Sequence, residues 1–287
     1  MSFSTFSRRS ALGSALAAGV VSAADAKTVP FDFADKKNFL SSVVKLRGAT
    51  DERVCIGYVI GTRYALVDGT ATPLFGLIAG TFSQCKKVDD ESYECRAFEI
   101  AYMTDLATGN LLETWTNPFT NKTVSVPQTR TLMGKVIIKA SGLMPVNSPM
   151  LAAMEFNHQF RPAVTNGSDV WITEETRIRN KPGSPATAPR FRYNENTTYH
   201  AKRKDLANPT LATVPTSISY QSLINFSPWM GMDGVDGMNL GRGNGFRVAD
   251  QKELPPYYLE LGEKYNADVL HDPLGAIEGK FEKKKEG

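Results

Sequence analysis

The stretch Asp169-Val170-Trp171-Ile172-Thr173-Glu174-Glu175-Thr176-Arg177-Ile178-Arg179 decides the fold class together with a second one, Arg190-Phe191-Arg192-Tyr193-Asn194-Glu195-Asn196-Thr197-Thr198-Tyr199-His200. Side-chain character alternates with a period of two in both, as it must where successive residues of a strand face opposite sides of a sheet. Between them Lys181-Pro182-Gly183-Ser184-Pro185 supplies the residues of a turn, so the pair reads as an antiparallel hairpin. Val170, Ile172, Glu174, Thr176 and Ile178 share one face of the first strand, and Phe191, Tyr193, Glu195, Thr197 and Tyr199 share the matching face of the second. Setting Ile178 opposite Phe191 puts Ile172 opposite Thr197 and Glu174 opposite Glu195.

Two like charges directly opposed in a sheet are destabilising, so such a pair binds a cation or an arginine, or holds a proton with one pKa raised. A carboxyl kept in an apolar barrel beside Tyr193 and Tyr199 is suited to general acid/base work on a small organic ligand. Glu174, Glu195, Tyr193 and Tyr199 are therefore the candidate catalytic residues. Two other readings compete: a different register, or neutralisation by an inward arginine such as Arg130, whose strand mates Leu132, Val136 and Ile138 are expected to face the same way. Arg130, Trp115, Asn117, Tyr102, His200, Phe226 and Trp229 are the candidate substrate-binding residues, with His200 at a strand end near a barrel mouth.

Outward from the hairpin the same period recurs in 54–60, 63–67, 74–82, 93–103, 111–115, 130–139 and 217–226, joined by turns such as Asp68-Gly69 and Thr108-Gly109-Asn110. About nine strands with few helices between them predict an antiparallel β-barrel of calycin or lipocalin type, or a sandwich. One barrel-like domain over residues 27–280 is the favoured reading. Before it, residues 35–48 have apolar positions at 39, 40, 43, 44 and 46 and a glycine stop, which predicts an amphipathic helix. Residues 253–265 predict a helix opened by proline, 150–156 a helical turn or two, and 281–287 a charged tail.

The chain has 287 residues, 41% hydrophobic and 22% charged, an ordinary globular composition. Met1 to Ala26 reads as an export signal, with Arg8-Arg9, an Ala- and Gly-diluted apolar run, and small residues before Asp25-Ala26. The adjacent arginines resemble a bacterial twin-arginine signal. Removing this segment leaves 31 basic and 29 acidic residues. A domain so near neutrality is not expected to bind nucleic acid, and no stable membrane insertion is expected; the predicted location is periplasmic or otherwise exported, after signal removal, and a homo-oligomer is compatible with the sequence.

Cys85 and Cys95 flank a predicted hairpin with its tip near Asp90, so they are either a disulfide or two half-buried thiols, with Cys55 left over. His158, His200 and His271 are far apart, so no local metal-ligand spacing exists and no metal is predicted. There is no Gly-x-Ser-x-Gly elbow, no dinucleotide fingerprint and no phosphate loop, so no cofactor is predicted. The glycine-rich segment Gly231 to Gly245 reads as a lid or an irregular loop over a barrel end.

Residues 105–127, with Glu113-Thr114-Trp115-Thr116-Asn117-Pro118-Phe119-Thr120 and then Val124-Ser125-Val126-Pro127, resemble a bacterial exported family classed as domain of unknown function 1838 (DUF1838). The resemblance implies a mostly β fold and carries over no catalytic residues. Two function classes remain. The first is a cofactor-independent lyase or isomerase that works on a small hydrophobic or aromatic compound, such as a lignin-derived aromatic dimer. The second is a periplasmic carrier of a small apolar ligand.

Overall fold

The hairpin of residues 169–202 pairs Asp169 with Lys202, Ile172 with Tyr199 and Ile178 with Tyr193. This register differs by two residues from the sequence expectation, so Glu174 lies opposite Thr197 and Glu195 opposite Thr176. A slip of two keeps every side chain on its expected face, because the side-chain period is itself two. Both glutamates still share the inward face, but as diagonal neighbours.

The computed structural model describes residues 31–148, 151, 154–184 and 191–281. The export-signal reading, most of the tail and residues 150, 152 and 153 of the expected helical turn lie outside them. The strands are β1 (Cys55–Val67), β2 (Thr70–Asp89), β3 (Ser92–Thr104), β4 (Thr114–Thr116), β5 (Thr123–Ser125), β6 (Thr129–Lys139) and β7 (Gly142–Val146). They continue as β8 (Met154–Phe160), β9 (Val164–Asn166), β10 (Asp169–Asn180), β11 (Arg192–Lys202), β12 (Thr216–Ile224) and β13 (Met238–Val248). The helices are α1 (Lys36–Arg47), α2 (Arg203–Ala207), α3 (Pro256–His271) and α4 (Pro273–Ile277). The strand order β7-β6-β3-β2-β1-β13-β12-β11-β10-β8 is antiparallel throughout and makes a nearly closed barrel. Strands β4 and β5 form a separate two-stranded ribbon.

Helix α1 starts where Asp35 accepts the Asn38 N–H and stops at Gly48. It drives Phe39, Leu40, Val43, Val44 and Leu46 into a core with Tyr93, Ile138, Phe160, Val170, Ile172, Tyr199 and Ile218. Each such side chain contributes roughly 1.5–3 kcal/mol relative to exposure. The carbonyls at its C-terminus have no partners within the helix, and barrel side chains supply them: Arg247 Nε donates to Leu46 O at 2.7 Å and Ser83 Oγ to Arg47 O at 3.2 Å. The helix end is thereby fixed against the inner wall.

The opposite face of β1, β2 and β3 is covered by α3 and α4, with Tyr58, Phe82, Phe98, Ile100 and Tyr102 packed on Tyr258, Leu261, Val269 and Leu270. Residues 112–126 and 226–235 form a third cluster in which Phe75, Trp115 and Trp229 meet at ring distances of 5.3–6.4 Å. Cys85 and Cys95 stand directly opposite each other on β2 and β3 and are joined as a disulfide, whereas Cys55 is a buried thiol.

Three expectations are corrected. The glycine-rich segment is a loop only as far as Gly237; Met238 to Val248 form β13, which pairs along its length with both β1 and β12. Gly243 and Gly245 are required there because a Cβ would come within 2.7–2.8 Å and 1.8 Å of neighbouring strand atoms. Residues 154–156 belong to β8 rather than to a helical turn. The C-terminal helix begins at Pro256 and runs on to His271.

Candidate functional site

Inside the barrel the alternation of β10 and β11 delivers Glu174, Glu195, Tyr193, Tyr199 and Thr197 to one polar cluster. Glu174 is 5% exposed and is met by Arg47 Nη1 from the last residue of α1. The Tyr199 hydroxyl donates to its Oε1 at 3.0 Å, and Arg47 Nη1 lies 3.3 Å from the same hydroxyl. His158 of β8 brings Nε2 to 3.7 Å from Oε2. Its Nδ1 accepts the Leu143 N–H at 3.0 Å, which assigns the ring proton to Nε2 and aims it at the carboxylate. Burial opposes ionisation of Glu174, but the Arg47 guanidinium, with His158, overcomes it and holds the carboxyl at about 2.

Glu195 is in the contrary situation. Its carboxylate accepts from the Tyr193 hydroxyl in a close contact and from Thr197 Oγ1 at 3.2 Å, and among the described residues no cation forms an ion pair with it. Burial first, then the Glu174 charge, push its pKa up to about 7. Burial and the Glu195 carboxylate raise the phenols of Tyr193 and Tyr220 as well, the latter to about 12. Two adjacent carboxyls driven apart in this way assume different roles at neutral pH: Glu174 stays ionised, while Glu195 exchanges a proton with little cost in either direction.

Further along the lumen Arg63 Nη1 donates to Ser222 Oγ at 3.0 Å, and Thr81 Oγ1 to Glu99 Oε2 at 3.4 Å. Burial raises Glu99, and Arg63 opposes that shift. Arg63, Glu99, Tyr193, Glu195 and Tyr220 each keep part of their surface accessible, so the polar stretch is not tightly filled. Among the described residues no group of three His, Cys, Asp or Glu could hold a metal, and no helix is long and apolar enough to cross a membrane.

The seven candidate substrate-binding residues lie elsewhere. Arg130 and Tyr102 are on the outer face beneath α3, where Arg130 pairs with Asp268 and Tyr102 OH accepts from Asn266 at 2.7 Å. Arg130 does not share a face with Val136 and Ile138, because the β3–β6 pairing shifts between Ala97 and Phe98 at Gly134, whose φ is +78°. A bulge adds one residue and reverses the facing of everything beyond it. The arginine that neutralises Glu174 is Arg47 instead.

Trp115, Phe226 and Trp229 belong to the aromatic cluster around Phe75. Asn117 is wholly buried as a structural clasp, donating to Met230 O at 2.8 Å and accepting from Phe119 N at 2.7 Å. His200 is on the outer face, stacked on Trp171 and bonded to Asp169 at 2.6 Å, where it lines a groove of ≈ 350 Å³ with Lys202, Asp205 and Phe246.

Sequence reasoning missed Arg47, His158, Glu99, Arg63 and Tyr220. The alternation of Tyr93, Cys95, Glu99 and Ala101 along β3, and of Ile218, Tyr220 and Ser222 along β12, carried a signal for two of them. Arg47 is an ordinary last-turn arginine on a helix, and no local pattern marks its direction.

The family model described as "Protein of unknown function (DUF1838)" matches residues 55–264, from the first residue of β1 into α3. The chain belongs to the DUF1838 family. The match takes in the barrel strands and therefore Glu174, Glu195, His158, Tyr193 and Tyr199, while Arg47 and the rest of α1 precede it. No curated protein and no solved structure matches the chain.

Proposed function

We propose that this DUF1838 protein is a cofactor-independent lyase or isomerase that moves a proton on a small, largely apolar or aromatic compound, with Glu195 as the acid/base. The observation that carries the reading is the pair of inward glutamates with opposite perturbations: Glu174 fixed as an anion by Arg47, and Glu195 poised near neutral pH beside the Tyr193 phenol. Such a pair sets one carboxyl that can take up or release a proton beside another whose charge is already held by Arg47, so a proton can be moved without both carboxyls changing state. We place the protein in the bacterial cell envelope, a location supported by the twin-arginine pattern at Arg8-Arg9 and compatible with the Cys85–Cys95 disulfide.

A carrier of an apolar ligand is the second reading, favoured by the groove between β7 and β8, to which Leu143, Pro145, Met154 and Phe156 contribute apolar surface. Incubation with a panel of phenolic monomers and dimers, followed by chromatography and mass spectrometry, separates the two. The enzyme reading expects new products from the wild type and none from Glu195→Gln. Tight binding with every compound returned unchanged would overturn it in favour of the carrier.

A further inference from the structure

A row of paired residues crosses the inner wall of the barrel from β11 to β1. Glu195 lies opposite Ser222, Ser222 opposite Gly241 and Gly241 opposite Arg63, one residue on each of neighbouring strands. Residues directly opposite one another share a face of the sheet, so the whole row faces the lumen with Glu195. Gly241 has no side chain, and Arg63 lies across the space this leaves. A Cβ on Gly241 would come within 2.5 Å of Arg63 Nη1 and 2.8 Å of Ser222 Oγ. The guanidinium therefore reaches past β13 to β12, where Nη1 donates to Ser222 Oγ at 3.0 Å. Its head ends one strand from Glu195, a spacing of about 4.8 Å in a sheet.

The other arginines that reach this interior serve the protein itself. Arg47 pairs with Glu174, and Arg247 donates to Leu46 O and Ser83 Oγ at the end of α1. Half-buried Arg63 bonds a neutral hydroxyl, and among the described residues no carboxylate forms an ion pair with it. Glu99 feels its charge, but the Glu99 carboxylate accepts from Thr81 instead. A guanidinium presents a planar fork of N–H donors, so most of those on Arg63 face no protein acceptor. The level is also open on one side. Residues 129–134 of β6 run beside β3 alone, since β7 covers only 135–139, and Thr131, opposite Glu99, is exposed.

The surroundings select the kind of group that Arg63 receives. Glu174 is a fixed anion, and burial opposes the ionisation of Glu195 and Glu99. A phosphate dianion would bring two negative charges among these carboxyls against one available cation. A carboxylate brings one, and its two oxygens match the fork with parallel hydrogen bonds. Leu77, Ala79, Ala101 and Met103 form an apolar patch on β2 and β3, with Leu77 opposite Gly61, two residues from Arg63 on the same face. An apolar body behind the carboxylate fits against it.

We propose that Arg63 anchors the carboxylate of a small monocarboxylic acid in the barrel lumen, one strand from Glu195. The anchor stands on the geometry of the row; that the bound acid is the substrate rests on the acid/base function proposed above.

The test measures binding of benzoate and hexanoate to the full chain by isothermal titration calorimetry, with benzamide and hexanamide as neutral counterparts. At least one carboxylate is expected to bind saturably and about tenfold or more tighter than its amide. Arg63→Gln is expected to abolish that preference. In Gly241→Ala the atoms nearest the new Cβ are the ends of the Arg63 and Ser222 side chains, so the guanidinium is displaced and carboxylate binding is expected to weaken several-fold. No saturable carboxylate binding, equal affinity for acid and amide, or wild-type affinity in a folded Arg63→Gln variant would each overturn the anchor. If Arg63→Gln does not fold, wild-type affinity in Gly241→Ala overturns it.

Glu195→Gln separates the anchor from the acid/base reading. It removes only a negative neighbour of the bound anion, so carboxylate binding is expected to be retained or tightened while turnover is lost. Retained turnover would overturn the acid/base reading and leave the anchor standing. Conversion of neutral compounds by the wild type, with the carboxylates binding no better than their amides, would overturn the anchor and leave the acid/base reading standing.

Discussion

Replacing Arg47 by Met removes the cation that keeps Glu174 ionised while leaving an apolar stem of similar length on α1. In the native protein the carboxyl sits at about 2 against an ordinary value of 4.5. That gap of about 2.5 units corresponds to about 3 kcal/mol of native stability at neutral pH. Its sign follows from the depression: the contribution is fully present above about pH 4.5 and is lost as pH falls towards 2. Without the guanidinium, burial is the dominant influence on Glu174, so an uncompensated charge or a protonated acid is left in the barrel. The expected destabilisation at pH 7 is about 3–5 kcal/mol, the usual cost of breaking a buried pair from one side. By about pH 3 less than half of the native contribution remains, so the difference between variant and wild type shrinks there. Urea unfolding of both proteins at the two pH values measures this directly. A loss below about 1 kcal/mol at pH 7, or the same loss at both pH values, would refute the assignment of Arg47 as the partner that matters.

Three further outcomes follow from other parts of the molecule. Glu195→Gln is expected to be more stable than the wild type at pH 8 by up to about 3 kcal/mol, because a carboxyl raised from 4.5 to about 7 costs native stability as pH rises through that interval. The difference should vanish below about pH 4.5, and calorimetry across the range checks both sign and window. The Cys85→Ser/Cys95→Ser double variant opens a loop with a sequence separation of 10 and is expected to lose about 2–3 kcal/mol by the chain-entropy model, read as a lower urea midpoint. Asn117→Ala unpairs buried groups on both sides of its clasp and should cost about 1–3 kcal/mol, with altered fluorescence from nearby Trp115 and Trp229.

Much of this was legible in the chain because it depends on local periods. The Asp35 to Gly48 helix and the facing of Glu174 and Glu195 need only the 3.6 and 2 repeats. Absolute register was not legible, since it depends on the path of the chain between β10 and β11, which alternation does not encode. Strand β13 was hidden for a different reason: Gly241, Gly243 and Gly245 remove the very side chains whose alternation would reveal a strand, because neighbouring strands press too closely there. Arg130 was assigned to the wrong face through a single bulge at Gly134. His158 lay in a stretch whose strand character emerges only when β8 pairs with β10.

The central claim is that Glu195 performs proton transfer beside a fixed Glu174 anion. The most direct measurement is the pH dependence of kcat/KM for whichever phenolic compound the wild type converts, repeated with Glu195→Gln. The expected result is an inflexion near the Glu195 value of about 7 and a loss of about 100-fold or more in the variant. A variant that retains the wild-type rate and the same inflexion would contradict the account.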